Sequence, residues 1–291
     1  MTIHNPVPPV PFAGAATLVI GGGRNIGREV AREFARRGAR LAVADLDLEG
    51  AEEAAALIRE AGGEAVALPC DVSSDASVKA TVASAEAALG PLAILMNNAG
   101  ILSGGNPEDI PVAAWQQMMD INFFGMVRAI EAVLPGMIAR RRGHVVNTAS
   151  FAGLYPFATS RMHYAASKAA VVSLSENLAV YGMDHGVRVS CLCPGPVMTT
   201  SVLGMKHWSE NYTMRAPGSH LTVKSQEETA RILADGMEAG RIIVPTHDEV
   251  WDTLRERAAS PDAYVIKKHG EFASGDSGKP AVPAEFLANK P

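Results

Sequence analysis

Tyr164 and Lys168 stand four residues apart in HYAASKAAVVSLSENLAVYG. On a helix, residues four apart share a face, so the phenol and the ammonium would be neighbours. A phenol near its ordinary pKa of about 10 is a poor base at neutral pH, and a nearby positive charge favours the phenolate and brings it into working range. Ser150 closes the apolar run VVNTAS and offers a hydroxyl that can polarise a substrate oxygen. Taken alone, a Tyr-x-x-x-Lys pair is a common surface arrangement, so its surroundings decide whether proton transfer is its task.

A second chemical signal lies far upstream. GGGRNIG, residues 21–27, follows the aliphatic run ATLVI and opens a helical pattern. Glycines there let backbone N–H groups approach a phosphate, and the start of a helix adds partial positive charge. The dinucleotide fingerprint G-x-G-x-x-G fits Gly21 and Gly23 but meets Ile26 where it asks for a third glycine. A tight turn without a ligand is the competing reading of this stretch.

The elements that would carry these groups are legible as an alternation. Aliphatic or β-branched runs occur at 16–20, 40–44, 64–68, 92–97, 144–149, 187–192 and 241–244, with helical patterns such as 28–38 between them. That order predicts an α/β fold: a doubly wound, Rossmann-like parallel sheet of about seven strands with helices on both faces. Residues 1–12, with four prolines, are expected to form a flexible arm, residues 13–269 a single catalytic domain, and residues 270–291 a loose tail. Residues 247–258 read as an amphipathic helix with Val250, Leu254 and Ala258 on one side.

Composition narrows the partners. The 291 residues are 47% hydrophobic and 20% charged, with a net charge of −5. Such a chain can bury a sizeable core and has no basic field to hold nucleic acid. Arg140–Arg142 is a single short run, read as a solvated helix end. No apolar stretch is expected to reach membrane-spanning length, and the N-terminus does not read as a secretion signal, so a cytoplasmic location is expected. Cys70, Cys191 and Cys193 form neither a disulfide framework nor a zinc site, and no metal is expected. On a strand, Cys191 and Cys193 share a face as packing residues.

With these pieces in order, the chain resembles the short-chain dehydrogenases/reductases from about residue 14 to 245. The turn resembles their T-G-x-x-x-G-x-G motif, with Gly21 first, Gly27 last, Ile20 in place of threonine and Asn25 at the middle glycine. Asn is the non-glycine residue that best tolerates left-handed backbone geometry. The resemblance implies a nicotinamide dinucleotide held by Gly21, Gly23, Arg24, Asn25, Ile26 and Gly27, with Asp45 on the adenosine ribose. A carboxylate there repels a 2′-phosphate and favours NAD, whereas Arg24 is the feature that would admit NADP. Asp71 and Val72 match the adenine-side pair, and Asn98, Ala99 and Gly100 the strand-four turn NNAG. Pro194, Gly195, Val197 and Thr199 match the clamp on the nicotinamide carboxamide, and Tyr164 and Lys168 also contact the cofactor.

The family's catalytic set falls on Asn122, Ser150, Tyr164 and Lys168. Its implied chemistry is hydride transfer between nicotinamide and a secondary alcohol or ketone. Tyr164 would act as acid and base, with Ser150 on the substrate oxygen, Lys168 on the ribose and beside Tyr164, and Asn122 completing a proton relay. Residues 200–225 correspond to the family's lid, where Met205, Trp208, Tyr212 and Met214 would wall an apolar pocket. Phe151, Leu154, Tyr155 and His163 are expected to face the same site, implying a bulky, largely apolar substrate such as a benzylic or steroid-like alcohol. The C-terminal part is similar to bacterial dehydrogenases of benzylic alcohols in aryl ethers. A homotetramer or dimer is expected from the resemblance. The alternatives are a catalytically silent NAD-binding sensor, which predicts an eroded catalytic set, and a sugar-nucleotide epimerase or dehydratase, which needs a further substrate domain.

Overall fold

The computed structural model describes residues 5–200 and 204–283. Its centre is a parallel sheet built from β1 (Ala16–Ile20), β2 (Arg40–Asp45), β3 (Ala65–Pro69), β4 (Ile94–Asn97), β6 (Gly143–Thr148), β7 (Val187–Cys193) and β9 (Ile243–Pro245). The strand order is β3-β2-β1-β4-β6-β7-β9, so the expected doubly wound sheet is what the chain forms. Two further strands, β5 (Ser103–Gly104) and β8 (Lys206–His207), pair with each other away from it.

Strand periodicity builds the two layers. Val19, Leu41, Val43 and Met96 point to one face, against Val30 and Phe34 of α1 (Asn25–Arg36), Ala54 and Ile58 of α2 (Leu48–Glu60) and Leu233 of α7 (Gln226–Glu238). The alternate residues Leu18, Ile20, Ala42, Ala44 and Leu95 point to the other. There they meet Val78 and Val82 of α3 (Asp75–Leu89), Ala129 and Val133 of α5 (Gly125–Ala139) and Ala179 of α6 (Met162–His185). Asp47, Ser74 and Ser225 cap α2, α3 and α7 by accepting hydrogen bonds from backbone N–H groups three residues on.

Three expectations are corrected. The proline-rich arm is packed from residue 5 onward: Val7, Val10 and Phe12 are buried, and the Val7 carbonyl accepts from Arg188 Nε at 2.7 Å. Of the expected tail, residues 284–291 lie outside the described residues, and residues 271–283 are not loose either. They complete α9 (Pro261–Ala273), which follows α8 (Val250–Ala259), and then hydrogen-bond to the lid, with Ala216 donating to Ser277 and Val223 to Ala281. Third, α4 (Val112–Met119) runs through a π turn (Asp120–Phe124) into α5. The resulting 28-residue helix is, by length and composition, apolar enough to cross a membrane. It lies along the sheet, however, burying Met118, Asn122, Met126, Ala129 and Val133.

Candidate active site

Helix α6 carries Tyr164 and Lys168, and β6 delivers Ser150 just past its end. Ser150 caps a short 3-10 turn (Phe151–Gly153), accepting from Ala152 N at 3.2 Å, and its hydroxyl is near enough to the Tyr164 phenol to pull the phenol's pKa down. Gly153 makes this approach possible: a Cβ on it would lie 2.6 Å from the Lys168 carbonyl carbon and oxygen. The serine turn thus rests on the α6 backbone at the lysine. Lys168 is buried, donates to the Thr148 carbonyl at 2.8 Å and holds its Nζ 5.7 Å from the centre of the Tyr164 ring.

The electrostatics differ from the simple pair. Burial raises the Tyr164 pKa, while the Ser150 hydroxyl and the Arg161 charge pull it back. Burial also lowers Lys168 to about 8, against an opposing influence of Cys191 and Cys193. In the ligand-free protein Arg161, just before α6, adds a second positive charge that pulls the phenol's pKa down, while the lysine ammonium over the ring donates to the Thr148 carbonyl.

Asn122 sits fully buried inside the π turn. Its Oδ1 accepts from Ile101 N at 2.7 Å, and its Nδ2 donates to the Ile101 carbonyl and to Ser167 Oγ, both at 3.1 Å. Gly100 lies between Asn122 and Lys168, where a Cβ would be 3.1 Å from Asn122 Oδ1 and 3.7 Å from Lys168 Nζ. The side chain thus pins the strand-four turn beside the lysine. A one-residue π insertion of this kind often marks a functional site and leaves no periodicity to read.

The glycine turn lies at the C-terminal edge of β1, where the strand order reverses toward β4. Gly21 has φ +78°, and a Cβ there would collide with the Ala99 backbone. Asn25 adopts the left-handed φ of +49° expected of it. Its Oδ1 accepts from the Thr200 N–H and hydroxyl at 3.1 and 3.0 Å. Among the described residues no hydrogen bond from the Arg24 side chain caps α1, unlike the capped starts of α2 and α3. Asp45 Oδ2 accepts from Gly23 N at 2.9 Å, so the acidic group lies beside the turn. Asn98 Nδ2 donates to the Gly21 carbonyl at 2.9 Å. Ile26 is half-buried against the α1 face of the core, and Gly27 packs beneath Gly21. This cradle fits a dinucleotide: glycine backbone and a helix start for phosphates, and a carboxylate at the end of β2 for a ribose.

Other cofactor candidates are placed less directly. Arg24 is exposed. The Asp71 carboxylate bonds the Ser73 N–H and hydroxyl at 2.9 and 2.7 Å, which holds its pKa below the usual range, and Val72 packs against Gly125. Val197 bridges to Lys224, and Thr199 is half-buried beside it. Pro194 accepts from Phe151 N at 2.9 Å. Sequence reasoning missed what anchors Gly195. Its N–H donates to Thr246 Oγ1 at 2.8 Å, Thr246 Oγ1 lies 2.8 Å from His247 Nδ1, and His247 Nε2 lies 2.6 Å from the Thr222 carbonyl. A carbonyl only accepts, so Nε2 carries the proton and Nδ1 accepts from the threonine hydroxyl. Burial holds the His247 pKa down, keeping the imidazole neutral.

The substrate candidates divide. Phe151 and Tyr155 do not face an open site: both are packed in the core under the lid, with Phe151 against His247 and the Tyr155 hydroxyl donating to the Pro217 carbonyl. The 3-10 turn swings them back from Ser150. Leu154 is half-buried against the same cluster, and Met205 is buried. His163 and Trp208 meet at one hydroxyl, Ser103 Oγ, at 2.6 and 3.2 Å. Trp208, Tyr212 and Met214 line an open pocket of about 550 Å³ on the lid with His207, Ser209 and Glu210. None of the catalytic candidates lines it.

Comparison with known proteins agrees with this geometry. Residues 15–210 match the family described as short chain dehydrogenase. The chain is 39% identical over 184 residues to 2-(S)-hydroxypropyl-CoM dehydrogenase 3 of Xanthobacter autotrophicus, covering 63% of this chain and 72% of that one. It is 35% identical over 188 residues to 2,5-dichloro-2,5-cyclohexadiene-1,4-diol dehydrogenase LinX of Sphingobium indicum, covering 65% and 75%. A Burkholderia phymatum short chain dehydrogenase/reductase solved in complex with NAD superposes with a TM-score of 0.76 at 28% identity, covering 87% of this chain and 96% of that one. With the motifs, the sheet order and the family match in agreement, the chain belongs to the short-chain dehydrogenases/reductases.

Proposed function

We propose that this oxidoreductase interconverts a secondary alcohol and its ketone with a nicotinamide cofactor. The observation that carries the reading is the meeting of Ser150, Tyr164 and Lys168 at one edge of the sheet, beside the glycine turn. The bound nicotinamide supplies the hydride acceptor or donor. Tyr164 takes the hydroxyl proton in oxidation and returns it in reduction; with its pKa raised by burial the phenol stays protonated near neutrality, in the form that gives up a proton to a ketone oxygen. Ser150 Oγ holds the substrate oxygen. Lys168 and the turn from Asn98 to Gly100, pinned by Asn122, fix the cofactor side of the site. The names of the two relatives, both dehydrogenases of hydroxyl-bearing compounds, support this reaction class.

Asp45 supports NAD over NADP, because its carboxylate at the end of β2 would face a 2′-phosphate. Phe124, Val180 and Tyr181 are exposed on the outer sides of the π turn and α6 and support a homo-oligomer, which light scattering reads. The test of the activity is absorbance at the reduced-nicotinamide band with benzylic, steroid and aliphatic secondary alcohols, each with NAD and NADP. Turnover of one class is expected. Silence across the panel with NAD still binding by calorimetry would overturn the enzyme reading in favour of a silent NAD-binding protein.

A further inference from the structure

Four buried side-chain polar atoms lack a hydrogen-bond partner among the described residues, and three of them fall within one turn: Ser160 Oγ, Arg161 Nε and His163 Nδ1. Buried polar groups are nearly always paired, so such a cluster marks a place where a polar group is missing. The turn opens α6 and ends one residue before Tyr164.

Arg161 is the unusual member. Its Nη2 donates to the Arg215 carbonyl of the lid at 2.8 Å, which covers the guanidinium. It forms no ion pair with any described residue. A guanidinium stays charged in a protein, so burying it without an anion is costly. Burial lowers its pKa, opposed only by the neighbouring phenols of Tyr164 and Tyr212. Arg161 is the residue immediately before α6, three positions ahead of Tyr164, and its charge is close enough to pull the phenol's pKa down. The lid therefore covers a positive charge near the reacting centre with no anion among the described residues to balance it.

We propose that Arg161 is a subsite for a substrate carboxylate, so that the enzyme takes a secondary alcohol or ketone bearing an acidic group on the side of the reacting carbon that faces the start of α6. This rests on the dehydrogenase reading and sharpens it. The planar fork of a guanidinium matches a carboxylate with two parallel N–H bonds, and the free Nε–H is one tine of that fork. The unpaired Ser160 hydroxyl and the His163 ring nitrogen supply further polar contacts to an acidic group at this turn. The apolar residues of the lid remain available to the rest of the molecule.

The test uses one scaffold in two charge states: acetophenone, and 3- and 4-acetylbenzoate. Reduction by NADH and by NADPH is followed with wild-type protein, Arg161→Met and Arg161→Lys. Binding of each ketone to the same proteins is measured in parallel by titration calorimetry. Wild type should favour one acetylbenzoate over acetophenone by about 10- to 100-fold in kcat/KM, mostly through KM, and Arg161→Met should bring the ratio near one. Arg161→Lys should restore part of it, since it keeps the charge and loses the fork. A ratio near one in wild type, or one unchanged in Arg161→Met, overturns the proposal. Should no ketone be reduced, the dehydrogenase reading is decided by the wider alcohol panel, and calorimetry still decides the subsite. Carboxylate binding lost in Arg161→Met supports it; equal binding of charged and neutral ketones, or none, overturns it. A melting temperature no lower than that of wild type shows that the methionine variant is folded.

Discussion

Replacing Lys168 with methionine should make the ligand-free protein more stable while destroying its activity. Burial holds the lysine near pKa 8 in the fold against 10.5 for an exposed lysine, so the folded state gives up proton affinity. At 1.36 kcal/mol per tenfold change in affinity, the charged form costs about 3 kcal/mol below pH 8. Methionine has a similar length and removes that cost. It also forfeits the 2.8 Å bond to the Thr148 carbonyl, worth about 1 kcal/mol. The net gain of about 2 kcal/mol corresponds to a rise of roughly 4–8 °C for a domain of this size. Because the folded pKa is depressed, the cost is complete below about pH 8 and fades as pH climbs toward 10.5. Scanning calorimetry of both proteins near pH 7, 8.5 and 10 should show the advantage of Lys168→Met shrinking across that window. A pH-independent advantage, or a variant that melts lower at neutral pH, would refute the assignment of a costly buried charge.

Tyr164→Phe should abolish turnover yet leave calorimetric NAD binding nearly intact; a variant that still reduces ketones removes the acid from the mechanism. Asp45→Ala should narrow any preference for NAD over NADP and lower stability by about 1 kcal/mol, because Gly23 N–H loses its acceptor. An unchanged cofactor ratio would transfer that discrimination to Arg24. His247→Ala should cost about 1–3 kcal/mol by leaving the Thr246 hydroxyl and the Thr222 carbonyl unpaired, and it should raise the KM for cofactor more than it lowers kcat. Equal KM values would mean that the Gly195 anchor does not reach the cofactor.

The sheet was legible because each buried parallel strand declares itself within a few residues, and all seven aliphatic runs became its strands. What failed was non-local. Composition marked residues 1–12 and 270–291 as loose, yet Val7 is held by Arg188, 181 residues away, and Ala281 by the lid at Leu221 and Val223. Proline and glycine content measures the entropy that a segment must lose, not the partners it finds. The apolar length of Val112–Ala139 was hidden in the same way, because Asp120, Arg128 and Glu131 interrupt the sequence while the helix buries a continuous apolar side.

The site divides along the same line. Left-handed Asn25 and the shared face of Tyr164 and Lys168 follow from backbone sterics and helical period, both local, and the structure places them so. The charge balance does not follow from spacing, because the cost of a charge depends on everything that surrounds it. Lys168 adjoins Tyr164 in the motif, yet its ammonium is turned to Thr148 and its charge is itself opposed by burial. Arg161 belongs to no motif and acts on the phenol from the preceding turn. Motif residues define the reaction, and a half-buried cation outside them that forms no ion pair among the described residues is where substrates sharing that reaction would be told apart. For a charged and a neutral ketone of one scaffold, the bonds broken and formed are the same. Any difference in their rates must then come from groups such as Arg161, outside the catalytic set.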